Sequence, residues 1–398
     1  MTSRWPRLIP SSTVILLIVG ALASTSSFAD PADDVLACER IDFGNCPALL
    51  KAAAAKGDAL KKLAALVRAP NTAANTRIKA AEALSMLDAR EEKDALDEGT
   101  RLLAHQPGEI DLLAAQARLG DPRAVDGLMR QLKSTDQRTK VLGAGSLGIL
   151  KHKGAVPLLV EMLGAQSPGR VQAAAAHALG LIADPAPESA LIALVAEAQA
   201  YVPARVAGLD ALAAIHSEKA FVLATLLVDV PARDVGRAAL RLLSAAPSVW
   251  IEPAIMYAMV TPGLRGEAAK IIASMQIQAL GPLVVQTAQQ PDLDQEEKLW
   301  VYTALGKLHP QGAAAVLMAR LPKAPLDEQI LILRTLPGTG DRTVMPDLIA
   351  LLHNSNKELV NYAVYALERL TGQNLGADPA AWLHYAGLDK PAPATHHP

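Results

Sequence analysis

Arg170-Val-Gln-Ala-Ala-Ala-Ala-His-Ala-Leu-Gly180 gives the clearest indication of the fold. Its apolar residues recur at the spacing of one face of an α-helix, and most of them are alanine, the strongest helix former. Stretches of the same design begin at Arg77, Arg205 and Leu359. Each of them ends in a leucine, so the chain is predicted to contain many similar helices.

The similar helices belong to a repeating unit of two helices. Successive units open near residues 125, 156, 190, 221, 251, 281, 313 and 344, and two weaker units fit residues 57–88 and 89–119. Proline often stands at the entry of the first helix, where an amide hydrogen would have no partner, as at Pro157 and Pro282. One pair cannot bury its apolar face alone, so the pattern predicts an all-α protein, an α-solenoid of about ten two-helix repeats.

Composition and charge exclude several classes of protein. Hydrophobic residues make up 51% of the 398 residues, but aromatic residues make up only 3%. That balance disfavours a β-sandwich or barrel, because these folds draw on aromatic and β-branched residues. The formal net charge is −2, whereas a nucleic-acid-binding protein would be strongly basic. No nucleic acid is therefore expected among the partners.

The first 29 residues have the pattern of a secretory signal peptide. Arg4 and Arg7 precede an apolar run over 13–23, and Ala29 ends a small-residue pattern typical of a cleavage site. The mature chain would begin at Asp30 and be exported, to the periplasm or beyond the cell, with no transmembrane segment after signal removal. An uncleaved anchor is the alternative, although the run is shorter than the about 20 residues of a membrane span.

Two cysteines, Cys38 and Cys46, follow the signal segment. In an oxidising compartment such a pair is predicted to form a disulfide, here within an N-terminal cap over residues 30–56. A lipid anchor on Cys38 is the alternative, because Val35-Leu-Ala-Cys38 faintly resembles a lipid-attachment motif. Three aspartates separate this motif from the apolar run, which disfavours the anchor.

The repeats resemble the HEAT family, in the short bacterial form called PBS-lyase HEAT-like repeats. The resemblance covers residues 57–371 and rests on the pattern Val-Arg-x-x-Ala-Ala-x-Ala-Leu-Gly-x-Leu, which is met best at 170–181. In this family the second helices line a concave surface, so the resemblance implies an extended binding surface on one side of the array.

The end of the sequence also has a family resemblance. Leu370-Thr-Gly-Gln-Asn-Leu-Gly376, followed by Trp382, is similar to a segment found after many bacterial HEAT arrays. This implies a C-terminal cap over residues 372–388, with Trp382 packed beneath it. The proline-rich residues 389–398 are predicted to be a disordered tail.

Motifs of catalysis and metal binding are weak in this sequence. Gly143-Ala-Gly-Ser-Leu-Gly148 matches a dinucleotide fingerprint and, loosely, a nucleophile elbow, but both motifs require a preceding strand. Some HEAT proteins are di-iron hydroxylases that bind metal through His-Glu pairs, and no such pair occurs here. We therefore predict no enzyme activity, no metal site and no cofactor.

The most informative pattern is a row of basic residues on the second helices. Four stand seven residues before a late leucine, and two stand nine residues before it: Arg77, Lys140, Arg205 and Lys298, then Arg170 and Arg233. One hypothesis is a positive groove that attracts an acidic protein or an anionic polymer. The other is that these side chains pair with acids nearby, as charged residues of helices usually do.

Two tyrosines near the same face are candidate binding anchors. Tyr302 and Tyr365 fall two or three residues before the aligned leucines, as His177 and Asp210 do. Tyrosine is frequent at the centre of protein interfaces. The alternative is that these rings cover neighbouring repeats.

Together these patterns predict an exported, non-catalytic scaffold that binds a protein partner on its concave face. One alternative is an enzyme of the PBS-lyase type with its site on that face, and another is a structural component of an envelope assembly. No nucleophile, base and orienting group can be named that would converge, which argues against the enzyme.

Overall fold

The computed structural model describes residues 30–55, 57–245 and 248–388. Every regular element in these ranges is helical, and they contain 23 α-helices with short 3-10 turns between some of them. The predicted signal segment 1–29 and the predicted tail 389–398 lie outside the described residues.

Two short helices precede the repeats: α1 (Pro31–Ala37) and α2 (Ala48–Ala55). The predicted disulfide between Cys38 and Cys46 is confirmed, with the two Cα atoms 5.6 Å apart. Cys46 is fully buried. The disulfide therefore fixes the loop between α1 and α2 against the first apolar cluster of the chain.

Ten helix pairs follow. The first helices of the pairs are α3 (Asp58–Arg68), α5 (Lys93–Leu102), α7 (Pro122–Gln131), α9 (Val156–Glu161), α11 (Glu188–Ala196), α13 (Phe221–Leu227), α15 (Ser248–Val260), α17 (Gly281–Ala288), α19 (Ala313–Arg320) and α21 (Met345–Ala350). The second helices are α4 (Ala74–Met86), α6 (Glu109–Arg118), α8 (Gln137–Ile149), α10 (Gly169–Ile182), α12 (Val202–Ala214), α14 (Arg233–Leu243), α16 (Arg265–Met275), α18 (Gln295–Leu308), α20 (Leu326–Thr339) and α22 (Lys357–Thr371). The predicted all-α solenoid of about ten two-helix repeats is thereby confirmed.

Nine of the second helices share one pattern of burial. We number their positions from a late buried residue, position 0, which is Leu84, Leu147, Leu179, Leu212, Leu243, Ile272, Leu305, Leu336 or Leu367. Positions −4 and 0 are buried in all nine, whereas positions −9, −2 and +2 are buried in none. The surface formed by positions −9, −6, −5, −2 and +2 is called the second-helix face below.

Most second helices end at a residue in the left-handed conformation. This residue is a glycine in some repeats, but it has a side chain in Asp88, Lys151, Ala183, His216, Gln276 and His309, with φ between 50° and 54°. A left-handed residue ends a helix because its amide bonds back to a carbonyl of the last turn. Two histidines, His216 and His309, therefore stand at helix ends.

The helices form two compact units, divided after Ala190. Within the first unit, α8 and α10 touch backbone to backbone: a Cβ atom on Gly148 would lie 2.8 Å from the Cα atom of Ala178. Gly148 belongs to the stretch that matches the dinucleotide fingerprint by letter, and that stretch lies inside α8. The close packing of α8 against α10 thus explains why residue 148 is a glycine.

The second unit ends in α23 (Pro379–Ala386), which packs against α21. Trp382 of α23 is fully buried, and its indole Nε1 donates to the carbonyl oxygen of Gly376 at 2.8 Å. The rings of Trp382 and Tyr385 make an edge-to-face contact, with their centroids 6.1 Å apart. Trp382 therefore anchors the segment that follows the last repeat.

Candidate functional site

Position −7 of the second helix faces the first helix of the same repeat. Arg77 and Arg205 hold this position, with only 4% and 5% of their surface exposed. The Nε atom of Arg77 donates to the carbonyl oxygen of Val67 at 2.9 Å, and that of Arg205 to the carbonyl oxygen of Val195 at 3.0 Å. The two carbonyls end first helices, whose dipoles favour a cation there. The prediction that Arg77 and Arg205 line a groove is therefore corrected: both join the helices of a repeat.

Uncharged residues make the same contact in other repeats. Gln172, also at position −7, donates through Nε2 to the carbonyl oxygens of Leu163 and Gly164 at 3.1 and 3.0 Å. Gln329 donates in the same way to the carbonyl oxygen of Leu321 at 3.0 Å. In these four repeats, position −7 thus holds a hydrogen-bond donor long enough to reach the end of the first helix.

The structure also changes the alignment of α14. Its burial pattern fits the other repeats when Leu243, and not Leu242, is position 0. Position −7 is then Gly236, where a Cβ atom would lie 2.8 Å from the carbonyl oxygen of Val228. Arg233 moves to position −10, at the start of the helix, so it does not belong to the basic row as predicted.

Lys298 and Tyr302 take part in a buried polar cluster around Glu328. The Nζ atom of Lys298 lies 2.6 Å from Oε2 of Glu328, and the hydroxyl of Tyr302 donates to Oε1 at 2.7 Å. The Nε atom of Arg320 donates to the same oxygen at 3.1 Å. Tyr302 is fully buried, and Glu328 is 7% exposed. Tyr302 is therefore a contact between α18 and α20, and the prediction of an accessible anchor is corrected.

Burial and hydrogen bonding shift the pKa of Glu328 in opposite directions. Burial raises the pKa of Glu328, but the hydrogen bonds from Lys298, Tyr302 and Arg320 outweigh it and hold that pKa below its ordinary value. Burial and the bond to Glu328 raise the pKa of Tyr302. The carboxylate thus stays ionised and the phenol neutral at physiological pH, as a structural link requires.

The remaining basic residues of the predicted row lie at the surface. Arg170 and Arg233 are exposed, and Lys140 is half-buried. Within the described parts of the chain, none of these three forms a salt bridge. They are accessible to a partner, in contrast to Arg77 and Arg205.

Across α12, α14 and α16 the second-helix face carries charges that pair with one another. The Nη2 atom of Arg241 lies 2.8 Å from Oδ1 of Asp210 on α12, and its Nη1 atom lies 3.8 Å from Oε2 of Glu267 on α16. Lys270 approaches Glu267 at 3.9 Å and lies over the ring of Trp300, 5.2 Å from its centroid. Because acids and bases alternate from helix to helix, this region presents little unbalanced charge.

One ion pair spans two repeats. The Nε atom of Arg237 on α14 donates to the carbonyl oxygen of Gly263 at 2.7 Å, and its Nη1 atom lies 3.2 Å from Oε2 of Glu296 on α18. The helix between them, α16, is packed closely against α18. The second helices of this part of the second unit therefore lie close together on their exposed side.

The next three second helices, α18, α20 and α22, carry apolar side chains at the centre of the face. These side chains, called the apolar band, are Leu299, Trp300, Ile330, Leu331 and Tyr362 at positions −6 and −5, with Tyr365 at position −2. Leu299 is 44% exposed and Tyr365 is 41% exposed, and the other four are half-buried. The structure therefore places the predicted Tyr365 in an apolar surface made by three neighbouring helices.

Of the six residues of the apolar band, the sequence patterns identified Tyr365 as a candidate and did not identify the other five. The signal was present, because α18 carries Leu299 and Trp300 at positions −6 and −5 and α20 carries Ile330 and Leu331, whereas α10 carries alanine at both positions. In the first unit α8 also has two large apolar residues there, but its neighbour α10 does not repeat them. Alanine is the strongest helix former and adds little apolar side chain to the surface. Large apolar residues at two adjacent repeats mark a surface that excludes water in some state of the protein.

A cavity opens beside the apolar band. The helices α18 and α20 touch at their C-terminal ends, where a Cβ atom on Gly338 would lie 2.6 Å from the carbonyl oxygen of Gly306. Between their N-terminal ends lies a cavity of about 280 Å³, lined by Gln295, Lys298, Pro325, Asp327, Glu328 and Leu331. The cavity has both apolar and charged walls, and it can take a side chain of a partner.

Metal binding and membrane spanning find no support in the described ranges. No group of three or more His, Cys, Asp and Glu side chains in them is placed to hold a metal ion. None of the described helices has the length and apolarity needed to cross a membrane.

Comparisons with known proteins agree on the fold. Residues 101–180 match the HEAT repeat family. No curated protein sequence matches the chain. Among solved structures, a mutant of Kap121p aligns with a TM-score of 0.50 and 12% identity over 82% of this chain and 46% of that one.

Two further structures are similar at lower scores. The E. coli protein YibA has a TM-score of 0.48 and 19% identity over 61% of this chain and 92% of its own. Importin β has a TM-score of 0.46 and 16% identity, covering 89% of this chain and 52% of its own. The chain thus spans about half the length of the Kap121p and importin β chains. At such identities the likeness concerns the fold alone: this chain is an α-solenoid of HEAT-like repeats.

Proposed function

We propose that this protein is an exported, non-catalytic scaffold, and that it binds a protein partner through the apolar band of α18, α20 and α22. The observation that carries the proposal is the exposure of Leu299 and Tyr365 beside half-buried Trp300 on helices that touch one another. Clustered apolar side chains at the surface of a soluble protein mark an interaction site. Aromatic side chains supply most of the energy of such sites.

The surroundings of the apolar band support this location. On α14 and α16 the charged side chains at positions −6, −5 and −2 of the second-helix face lie in ion pairs, which leaves little charge there for a partner to engage. Solenoids use the surface built by many repeats for binding, because each repeat contributes only a few side chains. Lys140, Arg170 and Arg233 remain candidates for secondary contacts with an acidic region of the partner.

The proposed cellular location is the periplasm or the outside of the cell. It is supported by the signal-like sequence over residues 1–29 and by the disulfide between Cys38 and Cys46, since disulfides persist in oxidising compartments. A partner is then expected among envelope or secreted proteins.

Photocrosslinking in living cells tests the proposed function. A photoreactive amino acid at Tyr365 is expected to form an adduct with one protein in stoichiometric amount. The matched control is the same amino acid at Leu226 on α13, a first-helix residue that is 70% exposed. Adducts of equal yield and identity at both positions, or none at Tyr365, would refute a partner site on the apolar band.

A further inference from the structure

Two charged bands flank the apolar band on α18, α20 and α22. Acidic side chains stand at position −9, near the N-terminal ends of the helices: Glu296, Asp327 and Glu358. Basic side chains stand at positions −2 and +2, toward the C-terminal ends: Lys307, Arg334 and Arg369. We call these the acidic band and the basic band. One residue of opposite sign lies beside each, Lys357 next to the first and Glu368 next to the second.

Among the residues that the structure describes, most of these charges form no ion pair. In the described ranges, Asp327, Glu358, Lys307, Arg334 and Arg369 take part in no salt bridge, whereas Glu296 pairs with Arg237. Helix dipoles favour acids at N-terminal and bases at C-terminal ends, so the dipoles explain how the two bands are stable side by side. The five unpaired charges can therefore form ion pairs with charges of opposite sign on another molecule.

The dimensions of the bands fit an α-helix lying across the three second helices. Positions −9 and +2 are about 16 Å apart along a helix that rises about 1.5 Å per residue, and a helix with side chains is about 10–12 Å wide. A helix laid along the apolar band therefore has one edge over each charged band. Neighbouring helix axes are about 8–10 Å apart, so about 15 residues cross all three.

We propose that the docking segment of the partner is an amphipathic helix with basic residues along one edge of its apolar stripe and acidic residues along the other. This inference rests on the proposed function, and it names the chemistry of the partner at the same site. The basic edge meets Asp327 and Glu358, and the acidic edge meets Arg334 and Arg369. The two charged edges fix the direction in which the helix docks.

The partner differs from the acidic protein or anionic polymer that the hypothesis of a positive groove implies. Two of the residues on which that prediction depends, Arg77 and Arg205, are buried against first helices. Apart from Lys357 and Glu368, the accessible acids and bases on the second-helix face of α20 and α22 lie in separate rows. A helix of one charge would therefore meet attraction along one edge and repulsion along the other.

Three designed peptides of about 18 residues test the proposal with the purified protein. They share one leucine- and tyrosine-containing apolar stripe and differ only in the edges: lysine on one and glutamate on the other, lysine on both, or glutamate on both. The mixed-edge peptide is expected to bind at least about fivefold more tightly than either control, since several exposed ion pairs each contribute a factor of a few. The difference is expected to decrease with salt.

Charge reversal on the protein provides the matched test. The double variant Arg334→Glu and Arg369→Glu replaces two of the three bases of the basic band by acids and leaves Lys307. The band becomes predominantly acidic, so the peptide with lysine on both edges is expected to become the tightest ligand. The control, Arg101→Glu with Arg130→Glu, reverses two exposed first-helix arginines of the first unit and is expected to keep the original order.

Equal affinities for the three peptides, no binding of any peptide, or an unchanged order in the Arg334→Glu and Arg369→Glu variant would overturn the inference. Its failure is distinguishable from failure of the proposed function. If Tyr365 crosslinks to a partner but the peptides do not discriminate, only the chemistry of the docking helix is wrong. If Tyr365 forms no adduct, the site itself is wrong.

Discussion

The guanidinium of Arg205 donates to the carbonyl oxygen of Val195 at 3.0 Å, and so joins the second helix of a repeat to the end of its first helix. Because Arg205 is 5% exposed, Arg205→Ala leaves a buried carbonyl without its donor and is expected to destabilise the protein by about 1–3 kcal/mol. Arg205→Gln is expected to retain part of this stability, because Gln172 makes the same contact elsewhere. Urea unfolding measures both changes.

Arg170→Ala is the control for that prediction. Arg170 is exposed and forms no salt bridge in the described ranges, so its replacement is expected to change stability by less than about 0.5 kcal/mol. Equal effects of the Arg170 and Arg205 replacements would show that the contact of Arg205 does not stabilise the repeat.

Much of the fold was predictable because a two-helix repeat is marked at every unit. The predicted openings near 156, 221, 281 and 313 coincide with the starts of first helices, since proline and small residues stand at helix entries. Those residues act locally, through the backbone of their own turn. Leu179, the late leucine of the stretch over 170–180, is fully buried.

The candidate site was predictable only in part, because it depends on which way each side chain faces. Neighbouring positions on a helix differ by about 100° in direction, so Arg205 at position −7 is buried whereas Val206 at position −6 is only half-buried. In the sequence, basic residues at one register therefore suggested a positive groove. In the structure, Arg77 and Arg205 of this row instead bond to the first helix of their own repeat. The apolar band gathers residues of three repeats, and only the packing of α18, α20 and α22 brings them together.

Asp121 gives the stability of the first unit a predictable pH dependence. Its side chain, 3% exposed, accepts from Arg123 at 3.0 Å and pairs with Lys93 at 3.2 Å. The hydrogen bond from Arg123, aided by its amide and by Lys93, lowers the pKa of Asp121 to about 2. A lowered pKa contributes stability that is present above the unfolded value near 4 and is lost as the pH falls to 2.

Asp121→Asn is therefore expected to cost about 2 kcal/mol at pH 7. The asparagine can still cap α7, since its side-chain oxygen accepts from the same amide. The difference in unfolding free energy between wild type and variant is expected to shrink steadily between pH 4 and pH 2. A difference that stays constant over this range would contradict the assignment to the ionised carboxylate.

Ala183 is expected to be a site where glycine stabilises the protein. It ends α10 with φ of 54° and ψ of 42°, a conformation that costs a residue with a side chain about 1–2 kcal/mol. Ala183→Gly is expected to raise the unfolding free energy by about 0.5–1 kcal/mol. Ala174→Gly, in the middle of the same helix, is expected to lower it by about 1 kcal/mol. Loss of stability in both variants would contradict the expectation.

Export and the disulfide can be tested on protein isolated from its native cells. Material from the envelope is expected to begin at Asp30 and to contain no free thiol, because Cys38 and Cys46 are joined. Cys38→Ser with Cys46→Ser is expected to cost about 2–3 kcal/mol, the entropy of a loop of this length. A retained segment 1–29 would refute cleavage before Asp30, and two free thiols in this material would refute the disulfide.

The most direct test of the central claim is the affinity of the partner captured at Tyr365 for two variants of the protein. Leu299→Glu places a charge in the apolar band, and Leu226→Glu places one on an exposed first-helix position. Both side chains are at least 44% exposed, so neither change is expected to shift the melting temperature. We predict that Leu299→Glu weakens binding at least about tenfold, the loss typical of a central interface residue, and that Leu226→Glu leaves it unchanged. Equal affinities of the Leu299→Glu variant and the unmodified protein would contradict the claim that the apolar band binds the partner.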